Sequence, residues 1–344
     1  MKKILLGLIL VLILGIVLVG CSGDDADTGS SNGEDGDQIV LKLGHIQSEQ
    51  DLWHEGALKF KEEVERLSDG EITIEIYPNS TLGGDRDMAE GMQMGTIDFA
   101  LIAGVLSNFE PSIQLLELPY LFDSEEEYNN IIHGEVGQEI VDRVLESSNI
   151  RILSWWDRGP RHVTANKPIE TLEDLKGLKI RLPEIKAMED TWRAMGASPV
   201  TMAWSEVYTG LEQGTIDAQE NPIPFIYGGR IHEVQEYLSL TAHKYEYVTI
   251  SMSEKTWQSL SEEHREIIQE AADIATEYEN ELVKVETEKI LETMKEEGLQ
   301  VVEPNVEELS QAAKAAHEEF AKTIDINLYN KILEAKIRIK WMEV

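Results

Sequence analysis

Ile39-Val40-Leu41-Lys42-Leu43-Gly44 reads as a strand, Trp53 to Leu67 as an amphipathic helix, and Ile72-Thr73-Ile74-Glu75-Ile76-Tyr77 as a second, alternating strand. Pro78-Asn79-Ser80 and Gly83-Gly84 punctuate the loop that follows, and another helix is predicted from about Arg86 to Met94. Strands alternating with helices predict an α/β fold.

The same plan returns further along the chain. Gly91-Met92-Gln93-Met94-Gly95-Thr96-Ile97-Asp98 is echoed by Gly210-Leu211-Glu212-Gln213-Gly214-Thr215-Ile216-Asp217. In each, a glycine suited to a helix C-cap precedes a strand expected to begin at the isoleucine. Two lobes of similar plan are expected, with Leu101 to Ser107 and Ala218 to Pro222 facing each other across a cleft. Ligands of open α/β sheets bind beyond the carboxyl ends of the strands. Ser261 to Glu297 keeps a 3.6-residue apolar spacing through Ile267, Ala271, Ile274, Tyr278, Leu282, Val285 and Ile290. A helix of that length spans ~54 Å, enough to cross both lobes. Asn305 to Thr323 reads as a further helix and the end as a short mixed segment.

The other end of the chain sets the compartment. Lys2 and Lys3 precede an uncharged apolar run, Ile4 to Val19, and Leu18-Val19-Gly20-Cys21 follows as a small-residue cleavage site with cysteine. That layout predicts a lipoprotein signal peptide over 1–20, with the Cys21 thiol lipidated and the mature protein on the extracytoplasmic side of the membrane. The alternative is an uncleaved anchor, for which the run is slightly short. Residues 21–38 are rich in Gly, Ser and Asp and read as an acidic flexible tether. With the only cysteine lipidated, a packed core rather than a disulfide must hold the fold.

The formal charge of −35 becomes −37 once Lys2 and Lys3 are removed. So acidic a chain has no basic footprint for nucleic acid. It also repels small anions on average, so any anion site must be a local concentration of cations. Enzyme signatures are missing: there is no His-Glu-x-x-His and no phosphate-binding glycine loop. The eight histidines are scattered without metal-ligand spacing. Neither a cofactor nor a metal is expected.

The densest polar motifs lie between Trp155 and Pro224. They are Trp155-Trp156-Asp157-Arg158-Gly159-Pro160-Arg161, Leu175-Lys176-Gly177-Leu178-Lys179-Ile180-Arg181-Leu182-Pro183, Gly196-Ala197-Ser198-Pro199-Val200, Trp204-Ser205-Glu206-Val207-Tyr208 and Ala218-Gln219-Glu220-Asn221-Pro222. With these segments at this spacing, the chain from Ile39 onward resembles the solute-binding proteins of tripartite ATP-independent periplasmic (TRAP) transporters, of the DctP kind. The resemblance implies a two-lobe, periplasmic-binding-protein-like fold (type II-like) with a hinge. The expected division is 39–158 plus about 247–286 for lobe I, and 159–246 plus about 287–344 for lobe II.

The resemblance also implies a site. Arg181 matches the arginine that holds the ligand carboxylate with its planar fork; from the residues alone, a surface ion pair with Glu184 is the alternative. Arg161 matches a second family arginine, with a salt bridge to Asp157 as its alternative and Arg158 competing for the role. Asn221 matches a ligand-bonding asparagine that is otherwise a turn residue before Pro222. Trp204 falls where an aromatic ring flanks the ligand, or else packs in the core. His45 and Gln47, at the end of the first strand, are the expected polar contacts from lobe I, although His45 also fits a satisfied core histidine. The implied ligand is a small organic anion, a sugar acid such as a uronate or aldonate, with a C4-dicarboxylate as runner-up. The implied partner is a TRAP membrane permease. An extracellular α/β hydrolase and a sensory lipoprotein feeding a receptor kinase are the rival readings.

Overall fold

The computed structural model describes residues 38–342. The signal segment, Cys21 and the tether up to residue 37 lie outside the described residues. No helix among the described residues is long and apolar enough to cross a membrane.

One nine-stranded sheet organises the chain. Its strands are β1 (Ile39–Gly44), β2 (Ile72–Tyr77), β3 (Phe99–Ile102), β4 (Ile150–Ala165), β5 (Lys179–Leu182), β6 (Ser198–Thr201), β7 (Ala218–Pro222), β8 (Tyr237–Ser253) and β9 (Gln300–Val302). The spatial order is β2-β1-β3-β8-β4-β7-β5-β6, with β9 beside the start of β8. On one side β2, β1 and β3 run parallel and β8 closes the set antiparallel. On the other, β6, β5 and β7 run parallel and β4 closes it antiparallel. Each lobe therefore repeats one plan, and the long strands β4 and β8 pair with each other along the seam.

The repeated sequence is a repeated structure. Helix α1 (Leu52–Leu67) links β1 to β2, and α2 (Asp85–Met94) leads to β3. Thr96 N donates to Gly91 O at 2.9 Å, and Thr215 N to Gly210 O at 2.9 Å. Asp98 Oδ2 accepts from Lys42 N at 2.9 Å, and Asp217 Oδ2 from Lys179 N at 3.0 Å. Each aspartate thus ties the start of one parallel strand to its neighbour. Gly95 (φ 74°) and Gly214 (φ 67°) take the left-handed backbone that ends the preceding helix. The strands begin at Phe99 and Ala218, two residues later than expected from the isoleucines. Ile97 and Ile216 instead fold back onto Gly91 and Gly210, where a Cβ would stand 2.7 Å and 3.3 Å from the isoleucine Cδ1.

The remaining helices are α3 (Glu125–Ile132), α4 (Glu135–Ser148), α5 (Lys186–Ala194), α6 (Trp204–Glu212), α7 (Ile223–Gly228), α8 (Glu254–Ser259), α9 (Glu262–Glu296), α10 (Val306–Ile324) and α11 (Ile326–Met342). Ser261 caps α9 by accepting from His264 N, and the 35 residues extend ~52 Å. α9 packs on α1 and β4 at one end of its course and on α7 further along, so it crosses both lobes. Its buried face differs from the expected one. Ile268, Ala271, Ala272, Ala275, Glu279 and Val283 point inward, whereas Tyr278 and Val285 are exposed. The α1 surface offers Gly56, where a Cβ would lie 3.0 Å from Glu279 Cγ, so glycine there makes room for the Glu279 side chain on this face.

The final segment is a full helix, α11, rather than a short mixed piece. It packs on α3 and α4, whereas α10 packs on α5 and β8. Residues 287–344 therefore do not all belong with lobe II, because α11 rests on lobe I elements. The proposed crossing points, 158/159 and 246/247, coincide with a register shift in the β4–β8 ladder between Asp157 and Gly159.

Candidate functional site

The carboxyl ends of β1, β3, β5 and β7 converge on one cavity, where Ile46, Ala103, Pro183 and Asn221 form part of its wall. The expected facing of the segment after β3 and the end of β7 is what the structure has. The cavity encloses ≈ 390 Å³ of atom-free space, of which ≈ 40 Å³ admits the centre of a water molecule. Three arginines reach it: Arg158, Arg161 and Arg181, each no more than 5% exposed.

Arg181 is the third residue of β5, between the buried Ile180 and Leu182. Its Nε and Nη2 donate to Met202 O at 3.0 and 2.6 Å, which fixes the plane of the guanidinium. The Trp204 ring centre stands 5.7 Å from its central carbon. Glu184, the alternative partner, is engaged by Arg86 at 2.9 Å. Among the described residues no carboxylate lies within ion-pair distance of Arg181. Burial lowers its pKa to about 10, with Glu220 pulling the other way, and it stays charged at neutral pH.

Arg161 is spent differently. Nε donates to Glu220 Oε2 at 2.5 Å, and Nη2 to Glu220 Oε1 at 2.6 Å and to the Glu220 carbonyl at 2.7 Å, while Nη1 donates to Glu246. Asp157 is not its partner; that carboxylate accepts from Asn129 at 2.9 Å. Burial pulls the Arg161 guanidinium down, but Glu220 and Glu246 more than offset this and hold it above its ordinary value. A bulge in β8 completes the arrangement. Between the pairs Arg161↔Lys244 and Val163↔Ser239 the strand carries extra residues, with Ala242 at φ 42°. His243, in this bulge, sits 2.9 Å from Glu220 Oε2, and burial lowers its pKa against the pull of that carboxylate.

Asn221 ends β7, with Nδ2 donating to Gln219 Oε1 at 2.7 Å. Trp204 opens α6 and both lines the cavity and packs on Phe225, ring centres 4.3 Å apart. His45 and Gln47 are not brought into the cavity. His45 Nε2 meets His54 Nδ1 at 3.1 Å, and Gln47 Nε2 donates to Asp51 at 2.8 Å. The chain bends at Ile46 and Gln47 just after β1, and Ile46 is the residue presented to the cavity.

Three further groups belong to the site. Arg158 touches the rings of Trp53 and Phe225, and its Nη2 has no hydrogen-bond partner. Asp85, first residue of α2, has a buried Oδ1 without a partner. Burial raises its pKa to about 7, against the pull of Arg158 and Arg181. Glu246 gathers Arg158, Arg161 and Lys244, at 3.4 Å and 2.8 Å for the first and last. Burial opposes its ionisation, but the three cations hold it well below the usual carboxylate range. One signal for it stands in the sequence: Lys244 and Glu246 lie two apart on a strand, so both must face the same side. Lys244 also meets Glu117 at 2.9 Å. Arg158, Arg161 and Lys244 are thus matched by Glu117, Glu220 and Glu246, and Arg181 remains as the cation without a carboxylate.

Comparison with known proteins gives the family. A solute-binding protein of Roseobacter denitrificans is 38% identical over 279 residues, covering 81% of this chain and 86% of its own. The C4-dicarboxylate-binding periplasmic protein DctP of Rhodobacter capsulatus is 31% identical, covering 86% and 87%. The crystal structure of a TRAP periplasmic solute-binding protein of Roseobacter denitrificans with bound L-galactonate superposes with a TM-score of 0.82 at 36% identity, covering 87% of this chain and 98% of that one. The family model DctP, bacterial extracellular solute-binding protein family 7, matches residues 43–324. The chain belongs to that family, whose members bind solutes outside the cytoplasm and are not enzymes.

Proposed function

We propose that this protein captures a sugar acid with a single carboxylate between its two lobes and hands it to a TRAP membrane permease, held at the membrane by lipid on Cys21. The observation that carries the reading is Arg181. Its guanidinium is anchored on one side by Met202 O, faces the cavity and has no carboxylate of its own. A ligand carboxylate supplies the missing charge in bidentate geometry, and Asn221 and Trp204 flank it. With ≈ 40 Å³ open to water centres, the lobes must part for a sugar acid to enter and close again over it. The bound, closed form is the one the permease would recognise.

The C4-dicarboxylate relative supports a second reading, in which Arg158 receives a second carboxylate. Charge favours the first: Arg158 is already matched within the Glu246 cluster. The test is a thermal-shift screen of organic acids. A true ligand at 100 times its Kd adds ~2.7 kcal/mol of stability. No shift with any sugar acid or dicarboxylate would refute the proposal. For the anchor, metabolic labelling with a fatty acid distinguishes Cys21 from Cys21→Ala; equal labelling of both sinks it.

A further inference from the structure

Arg158 faces the same cavity as Arg181 but is built into it in another way. Its central carbon lies 4.6 Å from the Trp53 ring centre and 4.4 Å from that of Phe225. Both rings are buried, and they form a wedge with centres 5.5 Å apart. Held against aromatic faces, a guanidinium can bond only in its own plane, through its edge N–H groups. One edge group, Nη1, is 3.4 Å from Glu246 Oε2. The other, Nη2, is buried with no partner. A buried donor left unmade is costly, and a ligand oxygen placed there removes that cost.

The charges around it decide what kind of oxygen that is. Arg158, Arg161 and Lys244 are already matched by Glu117, Glu220 and Glu246. A second ligand carboxylate at Arg158 would meet no unmatched cation and would stand near Glu246 and Asp85 on the same cavity wall. A neutral hydroxyl or keto oxygen accepts the Nη2 hydrogen bond without that repulsion. The aromatic wedge fixes where the oxygen must be, so a ligand lacking it leaves the donor bare.

Resting on the reading that Arg181 takes the carboxylate, we infer that Arg158 donates from Nη2 to an uncharged oxygen of the ligand and so selects hydroxylated or keto monocarboxylates over dicarboxylates. Arg158 then sets specificity, and Arg181 sets affinity for acids in general.

The test is calorimetric titration of the protein with L-galactonate, each of its monodeoxy derivatives and succinate, against wild type, Arg158→Met and Arg158→Lys. At one carbon, removing the hydroxyl weakens wild-type binding about ten- to a hundredfold, the scale of a hydrogen bond to a charged group. In Arg158→Met the same deoxy compound and L-galactonate bind alike, so the two changes are non-additive at that carbon. Arg158→Lys keeps the charge beside Glu246 and carries the same comparison should the methionine variant not fold. Additive losses at every carbon, or an Arg158→Met variant with unchanged affinity for L-galactonate, overturn the inference. Tighter binding of succinate than of L-galactonate overturns it too, while leaving the solute-binding reading standing. A wild type that binds none of these acids overturns both.

Discussion

Arg161 and Glu220 form a bidentate pair across adjacent strands: Nε to Oε2 at 2.5 Å and Nη2 to Oε1 at 2.6 Å, with Glu220 fully buried. The pair is scaffold more than ligand contact, because most of the arginine's donors are used before any solute arrives. Removing the cation strands Glu220 and part of Glu246 in a dry interior. Arg161→Met is expected to cost the unliganded protein about 3–5 kcal/mol, the scale for breaking a buried pair from one side. Urea unfolding measures it, and a loss below 1 kcal/mol would show that the pair does not hold β4 to β7.

Arg181 predicts the opposite pattern. Its bonds inside the protein go to one backbone carbonyl, so Arg181→Lys should leave unliganded stability within about 1 kcal/mol of wild type. Binding should weaken by about 2–5 kcal/mol, since an ammonium cannot reproduce the two-pronged contact and the ligand charge is left underpaired. Calorimetry and melting together separate the two effects. Normal binding by the lysine variant would remove Arg181 from the centre of the site.

Asp85 gives the site a pH signature. Its value is raised by burial from 3.8 to about 7, against the pull of Arg158 and Arg181. A folded value above the unfolded one means that the proton on Asp85 contributes stability fully present below pH 3.8. That contribution is lost as pH rises through about 7. An anion arriving on Arg181 raises the value further, so binding takes up a proton and tightens as pH falls from 8 to 6. Titrations in buffers of different ionisation heat should show that uptake, and Asp85→Asn should abolish it. Identical proton uptake in the variant would assign the effect to another group.

The two junction glycines make a matched pair of controls. A Cβ at Gly91 would stand 2.7 Å from Ile97 Cδ1, whereas at Gly210 it would stand 3.3 Å from Ile216 Cδ1. Alanine gains ~1 kcal/mol over glycine in a helix interior, and overpacking costs ~1–3 kcal/mol. Gly210→Ala is therefore expected to be neutral or slightly stabilising, and Gly91→Ala to be the less stable of the two by about 1–2 kcal/mol. Thermal melts of the two variants in parallel decide it; the reverse order would contradict the packing.

What was legible in the sequence depended on how locally each feature is determined. The Gly-Thr-Ile-Asp junctions are readable as helix stops because the left-handed glycine is set within eight residues, whereas the aspartates bond to Lys42 and Lys179 far off in the chain and the strands start two residues later than the isoleucines suggest. Arg181 was reached through resemblance, since nothing near it in sequence says that Glu184 goes to Arg86. The phase of α9 differs by one residue because hydrophobicity favours Tyr278 and Val285, whereas the buried face carries Ala271, Ala272, Ala275 and Glu279, the last admitted by the glycine at 56. His45 and Gln47 turn to His54 and Asp51 where the chain bends just after β1, a turn the residues do not announce, and Ile46 lines the cavity. Arg158 and Asp85 come together from β4 and α2, far apart in the chain, and only tertiary packing brings them to one wall.

The chain passes between its lobes on β4, β8 and α9, and this fixes the mechanics of opening. Two strands hydrogen-bonded side by side resist in-plane shear but flex readily about an axis across them, so they act as a leaf hinge with one soft direction. α9 lies alongside like a splint, packed on α1 and β4 with the alanines at 271, 272 and 275 buried. A splint that slides lets the leaf bend without breaking its own hydrogen bonds. The cleft is therefore expected to open along a single path, the same for one ligand as for another.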